Sequence, residues 1–184
     1  MLACLPVPAF THPHVWVDTV TTFEVKDGAI VGMRVDWKFD EFFSSTLLED
    51  YDKNHDNQFD AQELAVLEQK AFKNTAKQNY FTFVKVNGQL VPNPPAEDFT
   101  AHVEKKIVYY DFRLPFPKPV DPRADKLTVT YFEDSYYVDI APAAHDPVHF
   151  EGDNSLDCTA KVAEDLTTTI YFGQIHPLTV MVHC

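Results

Sequence analysis

VWVDTVTTFEV, residues 15–25, alternates apolar and polar side chains at period two. IVGMRVDWKF, residues 30–39, resumes that alternation after Asp27-Gly28. Period two is the signature of a half-buried strand, and Asp-Gly supplies the chemistry of a tight hairpin turn. The chain therefore opens on a β-hairpin with one face reserved for a core, and this pair decides the fold class.

Downstream of the hairpin the period changes. Asp40 is placed to cap a helix over residues 41–50 (EFFSSTLLED), which sets Phe43, Leu47 and Leu48 on one side. A second helix over about 61–77 carries Leu64, Leu67, Ala71 and Phe72 as its apolar stripe. The β pattern then returns at 80–86, 99–103, 107–114, 127–132 and 136–140, with shorter strands expected near 148–151, 157–162 and 179–183. PFPKPVDPR, residues 115–123, reads as a Pro-rich loop. Many short strands punctuated by turns predict a mainly β fold, an antiparallel β-sandwich. Into it is inserted an EF-hand-like helix–loop–helix at about 40–77.

Outside this pattern, composition narrows the choices. With 184 residues, 45% of them hydrophobic, the chain can bury a core of its own, and one β-rich domain over 12–184 is expected. No run approaches the roughly 20 apolar residues that cross a bilayer as a helix. Lys+Arg number 15 against 28 Asp+Glu, a net charge of −13 that repels nucleic acid and attracts cations. Residues 1–10, MLACLPVPAF, are apolar, and no Lys or Arg precedes Lys26. Residues 1–11 read as the remnant of a secretory leader removed before His12, the alternative being an ordinary N-terminal segment tucked into the fold. Cys158 and the final residue, Cys184, are expected to form a disulfide that ties down the tail. That pairing favours an oxidising compartment, periplasmic or extracellular; two free thiols in a cytosolic protein are the alternative.

The loop between the predicted helices is the sharpest local signal. Asp52-Lys53-Asn54-His55-Asp56-Asn57-Gln58-Phe59-Asp60-Ala61-Gln62-Glu63 places oxygen side chains at positions 1, 3, 5, 9 and 12, with an apolar residue at position 8. This is the EF-hand calcium pattern: a hard cation takes six to eight oxygens, and the loop wraps them around it. The expected ligands are Asp52, Asn54, Asp56, the carbonyl of Gln58, Asp60 and a bidentate Glu63. Asn57 stands where Gly is usual; that position needs positive φ, which Asn tolerates better than other residues with a Cβ. A solitary site of this kind suits a fold staple better than a sensor.

Eight histidines invite a search for a second, softer site. A freed His12 would offer its α-amino group and imidazole together, joined by His14, and Pro13 between them has no amide N–H to compete. His145, His149 and His176 are further candidates. Neutral imidazole suits copper, zinc and nickel. Histidines taken singly are more often surface residues than ligands. No Gly-rich phosphate loop, Gly-x-Ser-x-Gly or His-Glu-x-x-His occurs, so the chain is not read as an enzyme. A copper-dependent oxidase built on a free N-terminal His is a remote analogy.

Four segments in order, His12-Pro13-His14-Val15-Trp16-Val17-Asp18, Phe39-Asp40-Glu41-Phe42-Phe43, Tyr136-Tyr137-Val138-Asp139 and Tyr171-Phe172-Gly173-Gln174-Ile175-His176-Pro177, resemble the bacterial family catalogued as domain of unknown function 1007. The resemblance implies export, loss of the leader and a role in transport systems linked to nickel/cobalt-type membrane transporters. On it rests the expectation of a periplasmic, divalent-metal-binding accessory protein of a transition-metal transporter, stabilised by calcium. The competing expectation is a calcium-ordered protein-interaction module whose histidines are incidental.

Overall fold

The computed structural model describes residues 13–153 and 156–184, so the expected leader, 1–11, and His12 lie outside the described residues. The opening hairpin is present: β1 (Val15–Lys26) pairs antiparallel with β2 (Ala29–Phe39), with Val17 opposite Phe39 and Phe23 opposite Met33. Their buried positions alternate as the sequence pattern requires.

Eleven strands are described. After the hairpin come β3 (Thr82–Val86), β4 (Gln89–Val91), β5 (Glu97–Glu104), β6 (Ile107–Val120) and β7 (Leu127–Tyr131). The chain continues through β8 (Val138–Pro142), β9 (Val148–Gly152), β10 (Thr159–Glu164) and β11 (Leu178–His183). One sheet runs β5-β6-β2-β1-β8, with β9 also on β1; the other runs β10-β11-β7-β3-β4. Buried residues of both sheets form one apolar cluster, from Phe23, Val35 and Phe112 on the first to Val84, Val129 and Val180 on the second. A hydroxyl pair, Thr21 on β1 and Tyr131 on β7, bridges the sheets at 2.5 Å within this core.

Three expectations are corrected. The first sheet is mixed rather than antiparallel, because β8 pairs parallel with Val15–Thr19 and β9 parallel with Thr21–Val25. Side-chain alternation encodes which face is buried but not the direction of a partner strand. The close approach of β9 to β1 is fixed by Gly152 at φ 123°, where an added Cβ would stand 1.9 Å from the carbonyl oxygen of Val25.

The second correction concerns the Pro-rich stretch, whose first six residues extend β6 as far as Val120. Glu97 opposite Arg113 is the last pair with β5, and the strand side left open beyond it tolerates missing N–H donors.

The second helix is the third. α1 (Glu41–Tyr51) forms as expected, but α2 (Ala61–Leu67) gives way to a π-helical turn, Glu68–Phe72, then one α turn and a 3-10 segment, Ala76–Phe81. Asn79, Tyr80 and Phe81 carry left-handed φ near 50°. Tertiary contacts hold them there: Tyr80 is buried, and its hydroxyl accepts the amide of Ala96 at 2.9 Å.

The expected disulfide is present. Cys158 and Cys184 are bonded with 4.1 Å between Cα atoms, one residue beyond the terminal pair of β10 and β11, Thr159 opposite His183. Replacing both cysteines with Ser should cost about 3–4 kcal/mol in the chain-entropy view of a loop this long, measured by denaturant unfolding. On the same sheet, burial works to raise the Asp165 carboxyl. The hydroxyls of Thr167 and Thr168, the Thr167 amide and the Lys85 ammonium outweigh it and hold that carboxyl well below the usual carboxylate range. Such a group stabilises the fold above its unfolded value of about 4, and the contribution is lost as pH falls towards the depressed folded value. Asp165→Asn should therefore flatten the acid side of a melting-temperature profile below about pH 4.

Candidate functional site

The candidate site is built on the helical insertion, which Asp40 fastens to the first sheet. Its Oδ1 accepts the amides of Phe42 (2.8 Å) and Phe43 (3.0 Å), capping α1, while Oδ2 accepts the amide of Trp16 on β1 at 2.9 Å. From the buried side of α1, Ser44 Oγ accepts the amide of Val108 on β6 at 3.0 Å. One end of the inter-helix loop thus stands on a fixed base.

The other end is set by a capping box. Asp60 Oδ1 accepts the amides of Gln62 and Glu63, and Glu63 Oε2 accepts the amide of Asp60 at 3.0 Å. Glu63 Oε1 reaches back to the loop start, accepting the amides of Lys53 (2.7 Å) and Asn54 (3.4 Å). Asp52, only 2% exposed, accepts the amides of Asp56 (3.2 Å) and Asn57 (2.9 Å) on its two oxygens. Asn54 Oδ1 accepts the amide of Asp56, and Asp56 Oδ1 accepts that of Gln58. Asn57 has φ 61°, the left-handed conformation its position was expected to require, and His55, exposed at position 4, has φ 60°.

Carboxylates therefore sit at both ends of the loop and in its turn, and two of them, Asp52 and Glu63, are buried. Among the described residues, neither makes a salt bridge. Buried anions are expensive unless they are paired or coordinate a cation. The same side chains do not close into a shell in this arrangement: among the described residues, no three His, Cys, Asp or Glu groups are gathered to hold a metal ion.

The histidines are dispersed. His14 directly precedes β1, exposed, its ring 5.0 Å from that of Tyr137. His149 lies on β9 opposite Thr22, eight residues further along β1, a span of about 26 Å at strand geometry. There it acts on the carboxyl of Asp36, which burial pushes up and Arg34, His102 and His149 pull down. His145 is exposed in the connection between β8 and β9. His176 places Nδ1 2.9 Å from the carbonyl oxygen of Thr168. The structure does not bring His14, His145, His149 and His176 to one point.

It does bring together residues that spacing alone could not. Tyr136, Asp139 and His176 line one cleft of about 260 Å³. There the Tyr136 hydroxyl donates to Asp139 Oδ2 at 3.0 Å; burial first, then the Asp139 carboxylate, pushes the phenol up. Some forty positions separate His176 from the other two, so no local pattern announces the grouping.

A protein of Haemophilus influenzae (strain ATCC 51907 / DSM 11121 / KW20 / Rd), described as uncharacterized, is 23% identical over 155 residues, covering 83% of this chain and 73% of the relative. The model of one family matches residues 1–171. The chain belongs to that family, described as protein of unknown function (DUF1007).

Proposed function

We propose that this chain is an exported calcium-binding protein whose Asp52–Glu63 loop takes one Ca²⁺ in the manner of an EF-hand, locking the helical insertion onto a two-sheet sandwich. The observation that carries the reading is the buried pair Asp52 and Glu63, without a cationic partner among the described residues, in a loop whose sixth position holds left-handed backbone. A cation would be held by Asp52, Asn54, Asp56, Asp60, Glu63 and the carbonyl of Gln58, and would neutralise carboxylates that now rely on backbone amides. The Cys158–Cys184 bond supports an oxidising compartment, the periplasm in a bacterium.

The same proposal makes the protein an accessory to a membrane transporter of divalent transition metal such as nickel, cobalt, zinc or copper. Its support is the acidic balance of −13, which concentrates cations, and the exposure of His14 just before β1. A second reading, an interaction module ordered by calcium, is favoured by Phe42 on α1, 83% exposed, and by Val66 on α2, also exposed. Apolar side chains presented on both helices suit a partner surface.

Calcium should raise the melting temperature relative to EDTA, because an ion bound only by the folded loop contributes RT ln(1 + [L]/Kd), about 2.7 kcal/mol at a hundredfold excess. Glu63→Gln should remove most of the calcium-dependent difference. Comparing melts with and without the ion cancels the damage this change does to the capping box of α2. Identical melts of the parent chain in calcium and in EDTA would sink the proposal.

A further inference from the structure

We propose that the cleft between β8 and residues 170–178 binds a small primary amine, as its ammonium ion, carried on a compact apolar body. The cleft holds about 260 Å³, and its accessible polar side chains are those of Tyr136, Asp139 and His176. The site owes nothing to the calcium loop, none of whose residues lines it.

Hydrogen bonding sets the head of the guest. His176 Nδ1 stands 2.9 Å from the carbonyl oxygen of Thr168, which only accepts. Nδ1 therefore carries the proton, and Nε2 of the neutral ring is left as an acceptor. The Tyr136 hydroxyl gives its one hydrogen to Asp139 Oδ2 at 3.0 Å and keeps its lone pairs. A carboxylate only accepts. All three groups thus ask a guest for hydrogens, and an ammonium brings three. His176 is exposed and Tyr136 and Asp139 are half-buried, so each keeps surface for a guest.

Charge points the same way. No Lys or Arg lines the cleft, and among the described residues Asp139 makes no salt bridge. An anion would meet a carboxylate with nothing to neutralise it, whereas a cation supplies the counter-charge that Asp139 lacks. The net charge of −13 raises the local concentration of cations.

The floor sets the body. Ile140 on β8, the bridged pair Ile170 and Ile175, and Leu178 on β11 form much of it. A cavity of about 150 Å³ in another protein accepts benzene, so this cleft takes a single ring with a short arm. Such a volume is far more than a metal ion needs, and among the described residues no three His, Cys, Asp or Glu groups gather to hold one.

Both walls are held in place at a backbone cost. Tyr136 has φ 58°, an outlier for a bulky residue. Glu133 fixes it there: its carbonyl oxygen accepts the Tyr136 amide at 3.0 Å, and its carboxylate accepts the amides of Ser135 and Tyr137. Opposite, Tyr171 and Phe172 are left-handed too, and the Tyr171 amide donates to the carbonyl oxygen of Asp134. The rings of Tyr136 and Tyr171 lie 5.7 Å apart. Strained backbone of this kind concentrates at ligand clamps, and here it brings the Tyr136 hydroxyl to Asp139.

The experiment is calorimetry on the disulfide-bonded chain at neutral pH, in calcium-containing buffer with about 0.15 M salt, where the field of the net charge is screened beyond about 8 Å. The probes are benzylamine, benzyl alcohol, benzoate and Zn²⁺. Benzylamine should bind one to one and about tenfold or more tighter than benzyl alcohol, the margin that a charge-assisted hydrogen bond gives, and benzoate should not bind. Asp139→Asn leaves an acceptor for the Tyr136 hydroxyl and should remove most of that preference while benzyl alcohol binds as before. His176→Gln should weaken benzylamine about fivefold. Benzylamine that fails to bind, binds no tighter than benzyl alcohol, or binds Asp139→Asn as it binds the parent chain overturns the proposal. Benzoate binding as tight as that of benzylamine overturns it too. Zn²⁺ binding that both variants lose, with no benzylamine binding, also overturns it and marks a metal site instead.

Discussion

Trp37 is where the two halves of the structure meet. Its indole, 2% exposed on the inner face of β2, contacts Tyr110 and Phe112 on the neighbouring strand β6 and Phe72 and Phe81 from the helical insertion. One side chain thus joins the first sheet to the segment that enters the second sheet at β3, since Phe81 directly precedes Thr82. Truncating a core Trp costs about 3–5 kcal/mol in general. Here the cost would fall on the seating of the whole insertion, because its other apolar residues pack on the same rings.

That seating explains why the insertion departs from a regular helix. A plain α-helix over 61–77 would carry the chain away from the sheet at a constant pitch. The π-helical turn at Glu68–Phe72 and the left-handed residues Asn79, Tyr80 and Phe81 instead deliver Phe72, Tyr80 and Phe81 to the aromatic cluster. The backbone cost of three left-handed non-glycine residues, on the order of 1–3 kcal/mol each for sparsely populated conformations, is offset by buried aromatic surface. The inter-helix loop reaches the same core through Phe59, partly buried against it.

Much of this was legible in the sequence. The β1–β2 hairpin, the capping role of Asp40, the Cys158–Cys184 bond and the left-handed backbone at Asn57 follow from alternation, cap chemistry, terminal placement and loop position. Each depends on a local preference or on a single pair of residues. The parallel seats of β8 and β9 on β1 do not, because a strand's pattern names its buried face and leaves its neighbour open. Prolines at the end of β6 misled for a related reason: their missing donors matter only where a partner strand asks for them, and β5 stops short. The histidines show the same limit. His145 and His149 are close in sequence to each other and to no other candidate, and the topology carries His149 about 26 Å along β1 from His14.

The core treats its polar groups unequally, and the inequality is informative. Thr21 meets Tyr131, Thr130 meets Thr179, Thr82 donates to the carbonyl oxygen of Tyr80, and Ser44 accepts the amide of Val108. Hydroxyls buried between the sheets and beneath α1 are therefore satisfied one by one. The two exceptions among the described residues, Trp37 Nε1 and Tyr110 Oη, belong to residues paired across β2 and β6. An unpaired buried donor costs about 1–3 kcal/mol, and Phe at position 110 would avoid that cost with nearly the same shape. Burial also pushes the Tyr110 phenol well above its ordinary range, so it stays a protonated donor at any physiological pH.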